Sequence, residues 1–318
     1  MLKTLAASLF VLGSCAGAVG LACAQSYPYK QVRIITAEVG GGNDVVARLL
    51  AQGLAASSGQ QVIVENRPGV IIAVQTIAKA PPDGHTLLSY NNSLWTLPLV
   101  QAAPYDFLRD FAPVTMAAMS PNVLAVHPSL PVKTVRDLIV LAKSRPGELN
   151  YVSGATGSSA HMAGELFNAM ANVNMVRVPY KGAGPGINDL IGGHVQLIFG
   201  TTGSVLPHVR SGKLRGLAVT SARPSALVPG LPSIAASGVP GYELIAIYGV
   251  FAPAKTPAML ISRLHEEITR VLQTPEAKER FFNLGIEVVG GSPQQLMDAV
   301  KADMARVSRV MKGKSGAG

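Results

Sequence analysis

A chain of 318 residues with 48% hydrophobic and 14% charged side chains can bury a large core, which excludes an intrinsically disordered protein. Its formal charge of +9 comes from 27 Lys+Arg against 18 Asp+Glu, scattered without a basic block and with only 5% aromatics. That distribution argues against a nucleic-acid surface and for a general attraction of small anions.

The first segment sets Lys3 before an almost uncharged run from Leu5 to Leu21, then the small-residue site Ala22-Cys23-Ala24. Residues 1–24 read as a secretory signal peptide cleaved near Ala24. The alternatives are an uncleaved anchor, or a lipoprotein processed at Cys15 or Cys23. Both cysteines lie here, so the cleaved chain would hold no disulfide or thiol chemistry. No later run is apolar and long enough to span a bilayer.

Val32 to Thr36 is an expected buried strand, and Val45 to Leu54 a helix with Val45, Leu49, Leu50 and Leu54 on one face. A strand at Val62–Glu65, a helix at Ala73–Ala80 and a strand through Leu87 and Leu88 continue a βαβαβ alternation. Such alternation implies a largely parallel sheet. Val123–Val126 is extended, and Thr134–Ser144 is helical. A second series then alternates strands at Leu149–Val152, Met175–Val178, Val195–Phe199 and Leu214–Val219 with helices at Ser159–Met170, Pro185–Ile191 and Gly203–Ser211. Ile245–Phe251 is again extended. The tail is expected to be helical, with Leu260, Leu264, Ile268 and Val271 as one apolar stripe, apart from a short strand at Ile286–Val289. Thr256-Pro257, Thr274-Pro275 and Ser292-Pro293 each read as an N-cap before a first-turn proline. Two α/β halves joined by extended runs near Val123 and Ile247 imply two lobes.

Four turns share one design, a strand that ends in small residues and opens a helix: "VGGGND" at 39–44, "SGATGSS" at 153–159, "YKGAGPG" at 180–186 and "GTTGS" at 200–204. Helix N-termini carry unpaired N–H groups and partial positive charge, glycine lets a ligand reach the backbone, and hydroxyls add donors. One such turn is ordinary chain reversal, but four of them across two lobes point to anion binding. None has nucleotide-loop spacing.

Catalysis and metals find less support. The six histidines are dispersed without H-x-x-x-H spacing, so no metal or cofactor is expected. A triad could be drawn from Ser158, His161 and Glu165. However, His161 and Glu165 sit i,i+4 on one helix that Ser158 opens, so local hydrogen bonds explain them more simply. Asp44 reads as a helix cap, and Trp95 as core.

The chain also resembles the tripartite tricarboxylate transporter substrate-binding proteins, or Bug receptors. The resemblance rests on "YPYKQVRII", "GGGNDVVARLLAQGL", "VIVENRPG", "APPDGHTLL", "LNYVSGATGSSAHMAGELF", "VPYKGAGPGINDLIGGHVQLIF", "GKLRGLAVTS" and "YGVFAPAKTPAMLISRLHEEI", in that order. It implies a type II-like periplasmic binding protein with α/β lobes and two crossing strands. Residues 25–121 plus 252–318 would form one lobe and 122–251 the other. A small carboxylate would be held in the cleft by backbone groups of opposed loops, with delivery to tripartite tricarboxylate transporter membrane subunits.

The candidate ligand-binding residues are Glu38, Val39, Gly40, Gly41, Gly42 and Asn43 on the first turn. Asn91, Asn92 and Ser93 follow the third strand. Thr156, Gly157, Ser158 and Ser159, then Gly182 and Ala183, then Thr201 and Thr202 come from the second lobe, and Tyr248 from the second crossing run. A monomer is expected. Two departures from the family pattern flank the first jaw: "TAE" at 36–38 precedes the glycines, and "VIIAVQ" at 70–75 follows "ENRPG".

A solute receptor is therefore the leading reading. A periplasmic esterase using Ser158 and His161, and a sensory receptor with the same cleft, are the alternatives. Glu38 either is a solvated rim side chain or faces the ligand, where it would repel a second carboxylate.

Overall fold

The computed structural model describes residues 27–315, with side chains described to residue 309. The leader expectation for residues 1–24, with Cys15 and Cys23, lies outside the described residues.

The first lobe begins β1 (Val32–Thr36), α1 (Gly42–Ser58), β2 (Val62–Asn66), α2 (Val70–Ala78), β3 (Thr86–Asn91), α3 (Ser93–Val100) and α4 (Phe107–Asp110). The long strand β4 (Phe111–Val126) leads out of it. The second lobe continues α5 (Val135–Ser144), β5 (Asn150–Ser153), α6 (Ser159–Ala171), β6 (Val176–Pro179), α7 (Ala183–Ile191), β7 (Leu197–Thr201), α8 (Thr202–Arg210) and β8 (Arg215–Val219). The chain returns through β9 (Ile245–Pro253) and ends with α9 (Ala258–Leu272), α10 (Pro275–Asn283), β10 (Glu287–Gly291) and α11 (Pro293–Ser315).

β1 pairs in parallel with β2 and β3, and β5 with β6 and β7, as the alternation requires. The sheets are nevertheless mixed. β9 runs antiparallel to β3 and to β4, and β4 runs antiparallel to β7, β8 and β10. The expected extended run at Val123–Val126 is the end of a strand of 16 residues, about 50 Å of extended chain. Its first half pairs with β9 from Phe111↔Pro253 to Pro121↔Ile245, and its last five residues pair with β7. One strand thus belongs to both sheets.

Both faces of each sheet are covered, and period-two alternation sorts the side chains between them. On β1, Ile34 faces α1 and α9, while the next residue, Ile35, joins the core under α2 and α3. On β4, Leu124 and Val126 enter the core beneath α5 and α6, and Val123 and Ala125 the one beneath α7 and α8. The expected α9 stripe is observed: Leu264, Ile268 and Val271 are buried and Leu260 partly so.

Two of the three tail caps form as expected. Thr274 Oγ1 accepts the Ala277 N–H at 3.2 Å. Ser292 Oγ accepts the Gln295 N–H at 3.1 Å while Gln295 Oε1 accepts the Ser292 N–H at 2.7 Å, a reciprocal box. Thr256 does not cap, because its hydroxyl donates back to Pro253 O at 2.8 Å and α9 starts one residue later than the pattern suggests.

α11 fastens the lobes together. Leu296 and Val300 pack in the first lobe, while Val307 packs in the second, about 16 Å further along the helix. Between them Asp303, only 3% exposed, accepts Trp95 Nε1–H at 2.8 Å and Asn92 Nδ2–H at 2.6 Å. Asn92 also donates to Ile245 O at 3.1 Å and accepts the Ile247 N–H at 2.6 Å, so α3, β9 and α11 share one polar knot. Arg306 extends it with an ion pair to Glu243 at 3.0 Å. Burial holds the Asp303 carboxyl above its usual range, although Trp95 and Asn92 pull it back. Asp303→Ala strands two buried donors and should lower unfolding free energy by about 2–4 kcal/mol, whereas Asp303→Asn, which keeps an acceptor, should cost less than about 1 kcal/mol. Urea unfolding of the two variants checks this.

Candidate functional site

The carboxyl ends of the two parallel strand sets are brought close by their common partners. Asn91 at the end of β3 pairs with Tyr248, and Tyr248 pairs with Ala118 of β4. Thr201 at the end of β7 pairs with Asn122 of the same strand, four residues or about 13 Å from Ala118. The turns that leave these strand ends therefore gather around one crossover, the place where open α/β sheets bind ligands.

From the first lobe comes the glycine turn. Gly41 is the N-cap of α1 and supplies no side-chain cap, so the first-turn N–H groups of Gly42, Asn43 and Asp44 have no intrahelical acceptor. A Cβ on Gly42 would collide with the Tyr248 hydroxyl, so this backbone lies flat against the crossing strand β9. Tyr248 is 1% exposed, and burial pushes its phenol up. Behind the turn, buried Asp44 accepts the Gly40 N–H at 2.9 Å, Arg48 Nε–H at 3.0 Å and Asn66 Nδ2–H at 2.8 Å. Burial alone would raise its carboxyl, but the bonds from Arg48, Gly40 and Asn66 win and hold it below the usual carboxylate range. Asn43 is 8% exposed, and its Oδ1 has no hydrogen-bond partner. Val39 is 73% exposed on the rim, and exposed Glu38 accepts the Gly69 N–H at 3.0 Å.

The second lobe touches the first at α3. Thr96 Oγ1, at the start of α3, donates to Gly157 O at 2.7 Å, a direct contact between lobes. Gly157 has φ of +80° with Thr96 and Leu97 pressed against it, so only glycine fits. Ser158 Oγ accepts the His161 N–H at 3.3 Å as the α6 cap. Ser159 is buried against Asn122, with Oγ 3.3 Å from Asn122 Nδ2. Thr202 Oγ1 donates to Pro121 O at 2.7 Å, and the Thr201 and Ser204 hydroxyls lie 2.9 Å apart. The N-termini of α1, α6 and α8 thus converge on β4 and β9.

Other candidates stand differently. Asn91 Oδ1 accepts from Ser93 N–H and Oγ–H, which shapes the turn, and Asn92 is spent in the α11 knot. Gly182 and Ala183 open α7 after β6, three strands from β4 in the sheet order. The sequence reading passed over Arg177, which donates to Ser153 Oγ at 2.7 Å, Gly154 O at 3.0 Å and Thr156 Oγ1 at 3.3 Å. It staples the Ser153–Thr156 turn from the neighbouring strand. Nothing in "VRVP" marks that reach, which exists only once β6 pairs with β5.

His161 Nδ1 accepts the Gly157 N–H at 3.0 Å, and Ser158 Oγ accepts the His161 backbone N–H, the local hydrogen bonds that the simpler account expects. Tyr151 donates to Glu165 Oε1 at 2.7 Å. Among the described residues there is no cluster of three His, Cys, Asp or Glu suited to a metal, and no helix long and apolar enough to cross a membrane. A groove of about 410 Å³ lies elsewhere, between α1, α9 and α10. It opens around Gly53, about 16 Å along α1 from the glycine turn, and shares none of its residues.

Comparison with known proteins follows the same lines. The family described as tripartite tricarboxylate transporter family receptor matches residues 46–315. Protein BugT of Bordetella pertussis is 35% identical over 313 residues, covering 96% of each chain. A solved structure described as R. palustris Rpa4515 with adipate superposes with a TM-score of 0.85 at 38% identity, covering 90% of this chain and 98% of that one. MatC (Rpa3494) from Rhodopseudomonas palustris with bound malate gives 0.82 at 27% identity, over 89% and 99%.

Two variants test the turn. Gly42→Ala should abolish ligand binding while Gly42→Ala with Tyr248→Phe restores part of it, since the second change removes the colliding hydroxyl; titration calorimetry reads both. Asp44→Asn should cost about 1–3 kcal/mol at pH 7. A depressed carboxyl stabilises above its unfolded value and loses that contribution as pH falls through the folded one. The gap between wild type and Asp44→Asn should therefore begin to narrow below about pH 3.9 and close once the pH is below the depressed folded value, in thermal melts.

Proposed function

The chain belongs to the tripartite tricarboxylate transporter receptor family of periplasmic solute-binding proteins, and from that premise we propose that it captures a small organic acid between its lobes and delivers it to the membrane subunits of such a transporter. The observation that carries this reading is that the uncapped α1 N-terminus rests on Tyr248 of β9, while the α6 and α8 N-termini of the opposite lobe rest on Asn122 and Pro121 of β4, the strand that β9 pairs with. Partial positive charge and spare N–H groups from both sides suit a carboxylate better than any neutral ligand. The excess of basic over acidic residues adds a long-range field of the same sign. The neighbours with adipate and malate are organic acids of that class.

The same proposal divides the chain into lobes at 25–121 with 252–318 and at 122–251. The change of β4 partner from β9 to β7 between Pro121 and Asn122 supports the first boundary, whereas β9 pairs with first-lobe strands from Ile245 onward, which moves the return boundary to about residue 245; α11 is the strap across the division. Export through a leader cleaved near Ala24, and a monomer as the working unit, complete the reading.

Titration of the purified protein with a panel of four- to six-carbon carboxylates, adipate and malate included, should find at least one ligand with a dissociation constant in the micromolar range or tighter. Ser158→Ala should weaken binding about tenfold, a loss of about 1.4 kcal/mol. A panel with no binder at all would overturn the receptor assignment. Turnover of activated esters that vanishes in Ser158→Ala would replace it with the hydrolase.

A further inference from the structure

The first-lobe side of the crossover carries a negative charge of its own. Glu38 stands between the N-termini of α1 and α2, with Oε1 accepting the Gly69 N–H at 3.0 Å. Gly69 is the N-cap of α2 and offers no side-chain cap. The chain's own carboxylate thus occupies the end of α2 that would otherwise attract a ligand anion. A helix N-terminus contributes about half a positive charge and a carboxylate a full negative one, so Glu38 offsets the pull of the α1 and α2 ends on an anion.

Among the described residues Glu38 forms no ion pair and Oε2 accepts no hydrogen bond. Of the guanidiniums on neighbouring segments, Arg48 bonds Asp44 and Asn66, while Arg67 shares Glu65 with Arg33 and keeps a buried Nε–H without a hydrogen-bond partner. The Glu38 charge reaches Tyr90 at the end of β3, whose phenol is pushed up first by burial and then by Glu38. Glu38 is an exposed side chain just beyond the end of β1.

A second, independent feature has the same preference. Asn43, in the first turn of α1, is 8% exposed, and its Oδ1 is a buried acceptor without a donor. An acceptor left so costs free energy until a donor arrives. A carboxylate cannot supply one, whereas a hydroxyl, ammonium or amide N–H can.

We infer that this receptor selects a monocarboxylate bearing a hydrogen-bond donor, with Glu38 and Asn43 receiving the donor and excluding a second carboxylate. The inference rests on the carboxylate-receptor reading. The ligand's single carboxylate takes the backbone N–H groups of the glycine turn and of the α6 N-terminus. Its ammonium, hydroxyl or amide end turns to Glu38 Oε2 and Asn43 Oδ1. Exposed Val39 and Ile72, on the two segments that Glu38 ties together, offer apolar contact to the carbon chain between.

The test compares ω-amino and ω-hydroxy acids of four to six carbons with succinate, glutarate and adipate, by calorimetry on wild type and Glu38→Gln. Glutamine keeps an acceptor for Gly69 and removes only the charge. In wild type the best amino or hydroxy acid should bind at least about tenfold more tightly than the dicarboxylate of equal length, and Glu38→Gln should shrink that ratio to below about threefold by gaining affinity for the dicarboxylate. A general weakening of all ligands in Glu38→Gln, with rank order unchanged, would reduce Glu38 to a structural cap and overturn the inference. Wild type that binds the dicarboxylates best would overturn it too, while leaving the receptor reading intact. No binding of any acid would overturn both.

Discussion

The structure depends on one shared backbone constraint: β4 cannot leave the first sheet without entering the second. Its hydrogen bonds pass from β9 to β7 and β8 around Ser120-Pro121-Asn122, and each of these residues is tied to a different element. Ser120 Oγ donates to Gly285 O at 2.7 Å, Pro121 O accepts Thr202 Oγ1–H, and the Asn122 N–H donates to Thr220 Oγ1 at 2.7 Å. Asn122 Nδ2 further reaches Phe199 O at 3.1 Å. These groups are buried, so every one must be satisfied, and that requirement fixes where the second-lobe helices begin relative to the first lobe.

Placement of the helix N-termini follows from this. α6 starts at Ser159 because Ser159 lies against Asn122, and α8 starts at Thr202 because its hydroxyl reaches Pro121. α1 starts where a glycine can lie on Tyr248, which β9 presents beside β4. The anion-attracting ends are thus positioned by the crossover itself, not by the mobile parts of long loops. α11 adds a second tie on the opposite side of α3, with Asp303 as the common acceptor of Trp95 and Asn92. A two-lobed receptor needs lobes that stay in register while a ligand enters, and a shared strand with a helical strap meets that need.

Much of this was legible residue by residue. Strand-then-helix alternation, the four small-residue turns, the α9 stripe and the Thr274 and Ser292 caps are local patterns with local causes, and they form where expected. Failures occur where a distant partner decides. Phe111–Met119 carries Pro113 and two register shifts, which hide a strand from any period-two reading, yet β9 pairs with it throughout. α3 contains Pro98, and forms because Leu94, Trp95 and Leu97 are buried. Asn92 has the look of a cleft residue in "YNNS", but α11, more than two hundred residues later, claims its amide.

The sequence by itself determined the modules and the chemistry of their ends, because glycine, serine and proline act through their own φ, ψ and hydroxyl groups. It also marked "TAE" as the stretch that departs from the family pattern. Only the tertiary structure decided what Glu38 does there. Its carboxylate meets the α2 N-terminus because β1 and β2 pair in parallel, which brings Ala37–Glu38 and Arg67–Gly69 to the same edge. A side chain's partner across thirty-one residues is set by sheet register, and register is a property of the folded pair rather than of either strand.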